Sequence, residues 1–305
     1  MRAAVLSTLL VVSGVLATEP PTEGVAATVN GEPISLADVD AAVNASLPNV
    51  PLTLGQRRQI RTAVLNDLID DTLLKQFLAK NGVKADPAEL EAQLKSFKAQ
   101  LLKENRTLAG YLKETGQTEA QLRETWSLQI QLAAYVKQQV SIEELKTYHA
   151  ANRDHFDKME VRLSHIVLRV PKAASPAERA LAKERLEALR TSIVAGKIDF
   201  ATAAQRYSQC PSAKKGGDLG FIQRRGLPEE EPLAKAAFAL KVGDLSEVVQ
   251  TDSGWHLLLV TERKPGTPSV LEKCMFEVLE SYTDDYRIDL VKKLRKEAQI
   301  KITLP

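Results

Sequence analysis

The most constraining stretch of this chain is its last. Ile300-Lys-Ile-Thr-Leu304 alternates apolar and polar residues like a strand, and no second strand pattern adjoins it. A lone strand leaves backbone donors and acceptors unmet, so it needs a partner from elsewhere. Just upstream, Leu271, Met275, Leu279, Tyr282, Tyr286, Leu290 and Leu294 recur three or four residues apart, the period of one long helix. The candidate partner is near the other end. Val25-Ala-Ala-Thr-Val29 runs into Asn30-Gly31, and both of those residues tolerate the positive φ of a two-residue hairpin turn. That hairpin lacks a third strand. The sequence therefore predicts that the C-terminal segment returns to the N-terminal region and completes it. Whatever β-rich material lies between would then be an insertion.

Between the two ends the chain reads helical for more than a hundred residues. Residues 36–46 form a short helix. From Gln59, residues Ile60, Val64, Leu68 and the Leu73-Leu74-Phe77-Leu78 group share one face, and Asn81-Gly82 stops that helix. A second begins at Asp86-Pro87, and Leu90, Leu94, Phe97 and Leu101 face inward. A short third holds Leu108, Tyr111 and Leu112. A fourth opens at Thr118 with Gln121 three residues on, a capping box, and carries Leu122, Trp126, Ile130 and Ala133. Ser141-Ile-Glu-Glu144 repeats that signal for a fifth helix reaching about His155. His149 and His155 lie on its polar end, where exposure is expected.

The texture changes at Met159. Residues 160–170 are β-rich. Ser175-Pro-Ala-Glu178 opens a helix with Ser as cap, Pro at the first position and Glu at the third; it ends at Ala195-Gly196. Asp199 caps another helix through Tyr207. A glycine-rich loop, Lys214 to Gly220, follows, then a helix from Leu233 to Leu240. Val248-Val249 and Trp255 to Val260 read as strands. This region is a β-α-α-α-β-β pattern of the α+β class, ended by a linker at Pro265 and Pro268.

At 305 residues, two domains is the natural count. Lys+Arg is 41 against Asp+Glu 39, so nothing in the charge balance points to nucleic acid. Arg2, the apolar run Ala3–Leu16 and the small-residue ending Val15-Leu16-Ala17 have the layout of a secretory signal covering residues 1–17, too short to span a bilayer. The mature chain is expected outside the cytoplasm, without a stable membrane span. Cys210 and Cys274 could pair in such a compartment, or could be one functional thiol and one small buried hydrophobe. The four histidines show no metal-ligand spacing, and neither metal nor cofactor is expected.

Residues 158–265 resemble the parvulin family of prolyl isomerases. The likeness rests on four strings in order: Leu163-Ser-His-Ile-Val; Phe200 through Tyr207-Ser-Gln-Cys-Pro-Ser-Ala-Lys-Lys-Gly-Gly-Asp-Leu-Gly220; Ala236-Ala-Phe-Ala-Leu-Lys-Val-Gly-Asp-Leu-Ser246; and Thr251-Asp-Ser-Gly-Trp-His256. The remainder resembles, in layout and in Val29-Asn-Gly-Glu-Pro-Ile34, the N-terminal domain of exported SurA-like chaperones. The implied organisation is a signal over 1–17, a helical chaperone-like domain over 25–157, an isomerase domain over 158–265 with a central antiparallel sheet, and a returning helix and strand over 269–305. The resemblance implies catalytic residues His165, Cys210, Thr251 and His256, and a proline-binding set Leu219, Leu227, Leu233 and Phe238. It also implies unfolded, proline-containing exported polypeptides as partners.

Three departures from the family pattern bear on this. The pocket pair is Leu227 and Leu233, with an acidic spacer Glu229-Glu-Glu231. The loop Arg169 to Ser175 lacks the arginine pair of phosphate-directed members, so no phosphate-specific recognition is expected. Pro211 follows the thiol. In the implied site the two histidines would hydrogen-bond across neighbouring strands and fix each other's tautomers, while Cys210 would face the substrate carbonyl as nucleophile, weak polar contact or repelling thiolate. The non-covalent role is favoured, because rotation about a peptide bond needs no bond to be broken.

Overall fold

The structure is a computed structural model that describes residues 24–46, 54–171, 174–225 and 231–304. The segment proposed as a signal lies outside them, as does Leu227. The chain divides into two compact units, residues 1–138 with 285–305, and residues 139–284.

In the first unit, β1 (Val25–Val29) and β2 (Glu32–Ser35) form the hairpin read from Asn30-Gly31. Both turn residues have positive φ, 51° and 88°, as that turn requires. β7 (Ile300–Ile302) pairs antiparallel with β1, Ala27 opposite Ile302. The sheet order is therefore β2-β1-β7, and the far end of the chain completes the N-terminal sheet. Its inner face, Ala27, Val29 and Ile34, packs with Val39 and Val43 of α1 (Leu36–Ser46) and with Leu65, Ile69 and Leu73 of α2 (Leu54–Lys80). Three more helices follow: α3 (Pro87–Lys103), α4 (Leu108–Thr115) and α5 (Glu119–Gln139). Asp86 caps α3 through Ala88 N–H, and the Thr118–Gln121 box forms in both directions at 2.9 and 3.2 Å.

The second unit opens with α6 (Ile142–Ala151), whose capping box is present, and α7 (Arg153–Phe156). The fifth helix of the sequence reading is thus split at Asn152. β3 (Glu160–Arg169), α8 (Pro176–Val194), α9 (Phe200–Tyr207), a 3-10 turn over Pro211–Lys215, β4 (Asp218–Gln223), α10 (Glu231–Ala239), β5 (Val249–Thr251) and β6 (Gly254–Lys264) follow. The antiparallel sheet runs β4-β3-β6-β5. β4 was read as part of a glycine-rich loop; pairing with β3, Arg162 opposite Phe221, makes it a strand.

β3 and β6 are central, and Leu163–Leu168 and Gly254–Val260 are buried or half-buried because both faces of the sheet are covered there. One face, with Leu163, Leu258 and Val260, packs on Leu233, Ala237 and Phe238 of α10. The other, with Ile166 and Leu257, packs on Leu186 of α8 and Phe200, Ala203 and Ala204 of α9. α11 (Leu271–Glu297) runs through both units and is broken at Cys274 (φ −115°, ψ 15°), where one unbroken helix was expected. Both cysteines are free thiols. His149, expected exposed, is buried, with Nε2 2.7 Å from Ser269 Oγ.

Candidate functional site

Strand periodicity places the two histidines. Val167 opposes His256 and His165 opposes Leu258, so His165 and His256 project from the same sheet face as diagonal neighbours. It is the face that packs on α10. Their ring centroids are 5.6 Å apart and the planes tilt by 36°. No hydrogen bond joins the rings, contrary to the expectation of a mutual bond: neither ring nitrogen of His165 has a partner, and Nδ1 of His256 has none.

His256 is instead held by Thr251, whose Oγ1 lies 2.8 Å from Nε2 across the tight β5–β6 turn. Ser253 supports the pair. Its N–H donates to Thr251 Oγ1 (3.2 Å), and its Oγ lies 2.9 Å from that oxygen and 3.4 Å from His256 Nε2. Gly254 makes the turn possible: its φ is 144°, and a Cβ there would sit 2.2 Å from Leu168 O. The sequence reading missed Ser253; the only available signal was its place between two assigned residues.

Burial sets the protonation state. His165, His256 and Thr251 are 7%, 3% and 9% exposed. Desolvation, with a smaller push from His165, lowers the His256 pKa to about 4. Desolvation and then the charge of Arg169 lower that of His165. Both imidazoles are neutral at pH 7, so each offers one donor and one acceptor.

Cys210 reaches the site through an irregular segment that stands in for a strand. β4 covers β3 only as far as Ser164. Beyond that, Gly217 O accepts from His165 N–H (2.9 Å), Ser208 Oγ accepts from Val167 N–H (3.1 Å), Gln209 N–H donates to Val167 O (2.9 Å), and Gln209 Oε1 accepts from Arg169 N–H (2.7 Å). The half-buried Cys210 therefore runs beside Val167, the cross-strand neighbour of His256. Ser208 and Gln209, which dock it, were not singled out from sequence.

The apolar candidates separate. Leu233 and Phe238 are buried in the cluster on the histidine face, 5% and 7% exposed. Leu219 lies on edge strand β4 and is 38% exposed. Among the described residues no group of three His, Cys, Asp or Glu side chains could hold a metal.

The antiparallel sheet thus carries two neutral imidazoles and the Thr251 hydroxyl on one face, and the segment of Cys210 pairs with the main chain of β3 beside them. Residues 165–262 match the PPIC-type PPIASE domain, and residues 3–136 match the SurA-like N-terminal domain. The chain thus contains a region that matches a PPIC-type PPIASE domain, preceded by a region that matches a SurA-like N-terminal domain. It is 29% identical over 266 residues to a protein named Chaperone SurA from Alkalilimnicola ehrlichii, covering 82% of this chain and 60% of that one. It is 33% identical over 173 residues to Foldase protein PrsA of a Geobacillus species, covering 55% and 57%. Over 80 residues it is 48% identical to Peptidyl-prolyl cis-trans isomerase Pin1 of Arabidopsis thaliana, covering 26% and 66%. The chain spans less than two thirds of the length of each of these relatives.

Proposed function

We propose that this protein is a peptidyl-prolyl cis-trans isomerase that assists the folding of exported polypeptides. The observation that carries the reading is the buried, neutral pair His165 and His256, with Thr251, on the sheet face shared with Leu233 and Phe238 in a PPIC-type domain. Rotation about an X–Pro bond is opposed by amide conjugation, with a barrier of roughly 18–20 kcal/mol. A catalyst needs only to favour the twisted amide over the planar one. Leu233, Phe238, Leu219 and Leu227 supply the apolar surface for the proline ring. His165, Cys210, Thr251 and His256 supply polar contacts where charge on the carbonyl and nitrogen changes. The neutral imidazoles suit that task, because each offers one donor and one acceptor. Neither cofactor nor metal enters, and Cys210 acts without forming a covalent bond.

The functional parts are a leader over 1–17, a chaperone-like domain over 25–157, the isomerase domain over 158–265 and the return over 269–305. The leader pattern supports work outside the cytoplasm, and the names of the relatives, a chaperone, a foldase and a prolyl isomerase, support action on unfolded, proline-containing chains. No helix among the described residues is long and apolar enough to cross a membrane. A second reading, a folding chaperone whose isomerase domain only binds peptide, is favoured by the SurA-like match over 3–136. Cis-to-trans relaxation of an Ala-Pro-Phe peptide separates the two. Wild type accelerates it, and His256→Ala combined with Cys210→Ala loses at least tenfold of that acceleration, the size expected for misplaced site groups. No acceleration by the wild type would leave only the chaperone reading.

A further inference from the structure

Two consecutive arginines follow β4 and hold different partners. Arg224 Nη1 and Nη2 donate to Glu231 Oε2 and Oε1, both at 2.8 Å. A planar guanidinium that meets both oxygens of a carboxylate fixes angle as well as distance. The Arg224 side chain is only 18% exposed, so this pair is partly withdrawn from water. Arg225 Nη2 donates to Tyr148 Oη at 2.8 Å, and its guanidinium carbon lies 5.8 Å from the Tyr148 ring centroid.

Glu231 opens α10, the helix on the histidine face, and Leu233 follows two residues on. The far end of α10 is held from β6: Arg263 Nη2 donates to Phe238 O (2.9 Å) and Leu240 O (2.7 Å). That tie lies within the matched isomerase region, residues 165–262 apart from the last arginine's tip. The near end is tied through Glu231, Arg224 and Arg225 to Tyr148 of α6, well outside that region. Tyr148 is a firm post. Its hydroxyl donates to Ser281 O of α11 (2.9 Å) while accepting from Arg225, and its ring stands edge-on to Tyr282, centroids 5.2 Å apart and planes at 78°.

We propose that Tyr148 is a positioning residue for the proline-binding surface: through Arg225, Arg224 and Glu231 it fixes the first turn of α10, and with it the place of Leu233. The helices flanking the isomerase region thereby set its affinity for a proline peptide. This rests on the isomerase reading for its effect on KM; the placing of Leu233 does not. Apolar contact from Leu233 is the same for planar and twisted amides. Loosening it therefore weakens binding of both and leaves the rotation step alone.

The test uses the full chain and Tyr148→Phe, which keeps the ring and removes only the hydroxyl. Leu233 methyl signals, assigned with Leu233→Ile, are read by proton–carbon NMR. Binding and isomerisation of an Ala-Pro-Phe peptide give Kd, KM and kcat. Tyr148→Phe shifts the Leu233 methyls and raises Kd and KM about threefold to tenfold, the span of one lost hydrogen bond, with kcat within about twofold. Glu231→Gln does the same, and the double variant loses no more than the larger single effect, because both changes interrupt one series of contacts. Arg225→Lys, which keeps a donor for the Tyr148 hydroxyl, loses less than Arg225→Ala. Unmoved Leu233 methyls in Tyr148→Phe overturn the proposal. So does a fall in kcat at unchanged KM, or a lowered unfolding midpoint with Kd and KM unchanged, which would make Tyr148 a structural residue only. If Tyr148→Phe does not fold, Glu231→Gln at the exposed end of the series carries the same readouts. A wild type without isomerase activity would remove the isomerase reading and the KM arm, while the methyl shifts and Kd still decide.

Discussion

The two compact units treat buried polar groups differently. In the first, Thr72 is buried but donates to Leu68 O (2.8 Å), Gln76 bridges Val29 O and Glu32 (3.1 and 2.8 Å), and Arg61 Nε, buried without a hydrogen bond of good geometry, still lies 2.9 Å from the Asp40 carboxylate. In the second, both nitrogens of His165, Nδ1 of His256 and Oγ of Ser212 are buried without partners in the protein. Each such group costs about 1–3 kcal/mol unless something meets it. Among the described residues, the first unit's one such atom faces a carboxylate; the second unit's lie on or beside a sheet covered on both faces. That contrast is open to direct measurement, because each unit holds one tryptophan: Trp126 in the first, Trp255 in the second.

The sharpest way to break the comparison is Gly217→Ala. The added Cβ meets main chain, His165 O, and the backbone there has φ +86°, so β3 and the Cys210 segment must part. A loss of about 3–4 kcal/mol is expected, the upper range for single substitutions. In denaturant the Trp255 transition should move to lower concentration and the Trp126 transition should not. Equal movement of both, or of neither, would mean that this packing is not particular to the second unit.

Acid sharpens the same point with a somewhat smaller effect. The folded-state pKa of His256 is lowered to about 4 from an ordinary 6.5 by desolvation and then His165. The unfolded chain therefore binds a proton that the folded chain refuses. Stability from this group is complete above pH 6.5 and is lost as pH falls from there toward 4, roughly 3 kcal/mol at the lower end. His165 is shifted in the same direction by desolvation and Arg169. Thermal unfolding followed at Trp255 from pH 7.5 to 4 should show the decline, and His256→Gln should remove much of it. The isomerisation rate should stay flat between pH 7 and 8, above the ordinary imidazole value from which burial lowers both rings.

How much of this was legible in the sequence depends on the range of the interaction. The hairpin at Asn30-Gly31 and the capping boxes at Thr118, Ser141 and Ser175 are local patterns, and all form. The return of Ile300–Ile302 to β1 was legible despite its distance, because a lone strand must pair with something. The β-rich runs Glu160 to Val170 and Trp255 to Val260 placed both histidines on strands. What stayed hidden was geometry set by distant partners. His149 sits on a helix whose other faces are polar, and its burial follows from Ser269, 120 residues on. β4 was masked by glycines that serve the approach of Gly217 to β3 rather than a free loop. Serines 208 and 253 carry no sequence mark that separates a docking hydroxyl from a solvated one. The absence of a bond between the two imidazoles depends on their diagonal register, which strand assignment alone does not give.

The smallest effect probes the first unit and has the opposite sign. Asp67 on α2 has its pKa raised by desolvation and by the carboxylates of Asp70 and Asp71; Arg287 and Arg295 on α11 pull it down. Those arginines are committed elsewhere: Arg295 to Asp70 and to Asn66 O, and Arg287 to Asp71 at 3.0 Å. A raised folded-state pKa means that the contribution to stability is full below the ordinary carboxylate value and is lost as pH rises through the shifted one. At neutral pH Asp67 is therefore a mild liability in an otherwise paired cluster. Asp67→Asn should stabilise the first unit by about 0.5 kcal/mol at pH 7, the scale of solvent-screened charges, and by less at pH 4, where the native carboxyl takes up its proton. The Trp126 transition should register the gain while Trp255 stays unmoved. Destabilisation at pH 7 would show that Asp67 is a working partner of Arg287 or Arg295, and that the first unit too holds a charge whose pairing is more delicate than its geometry suggests.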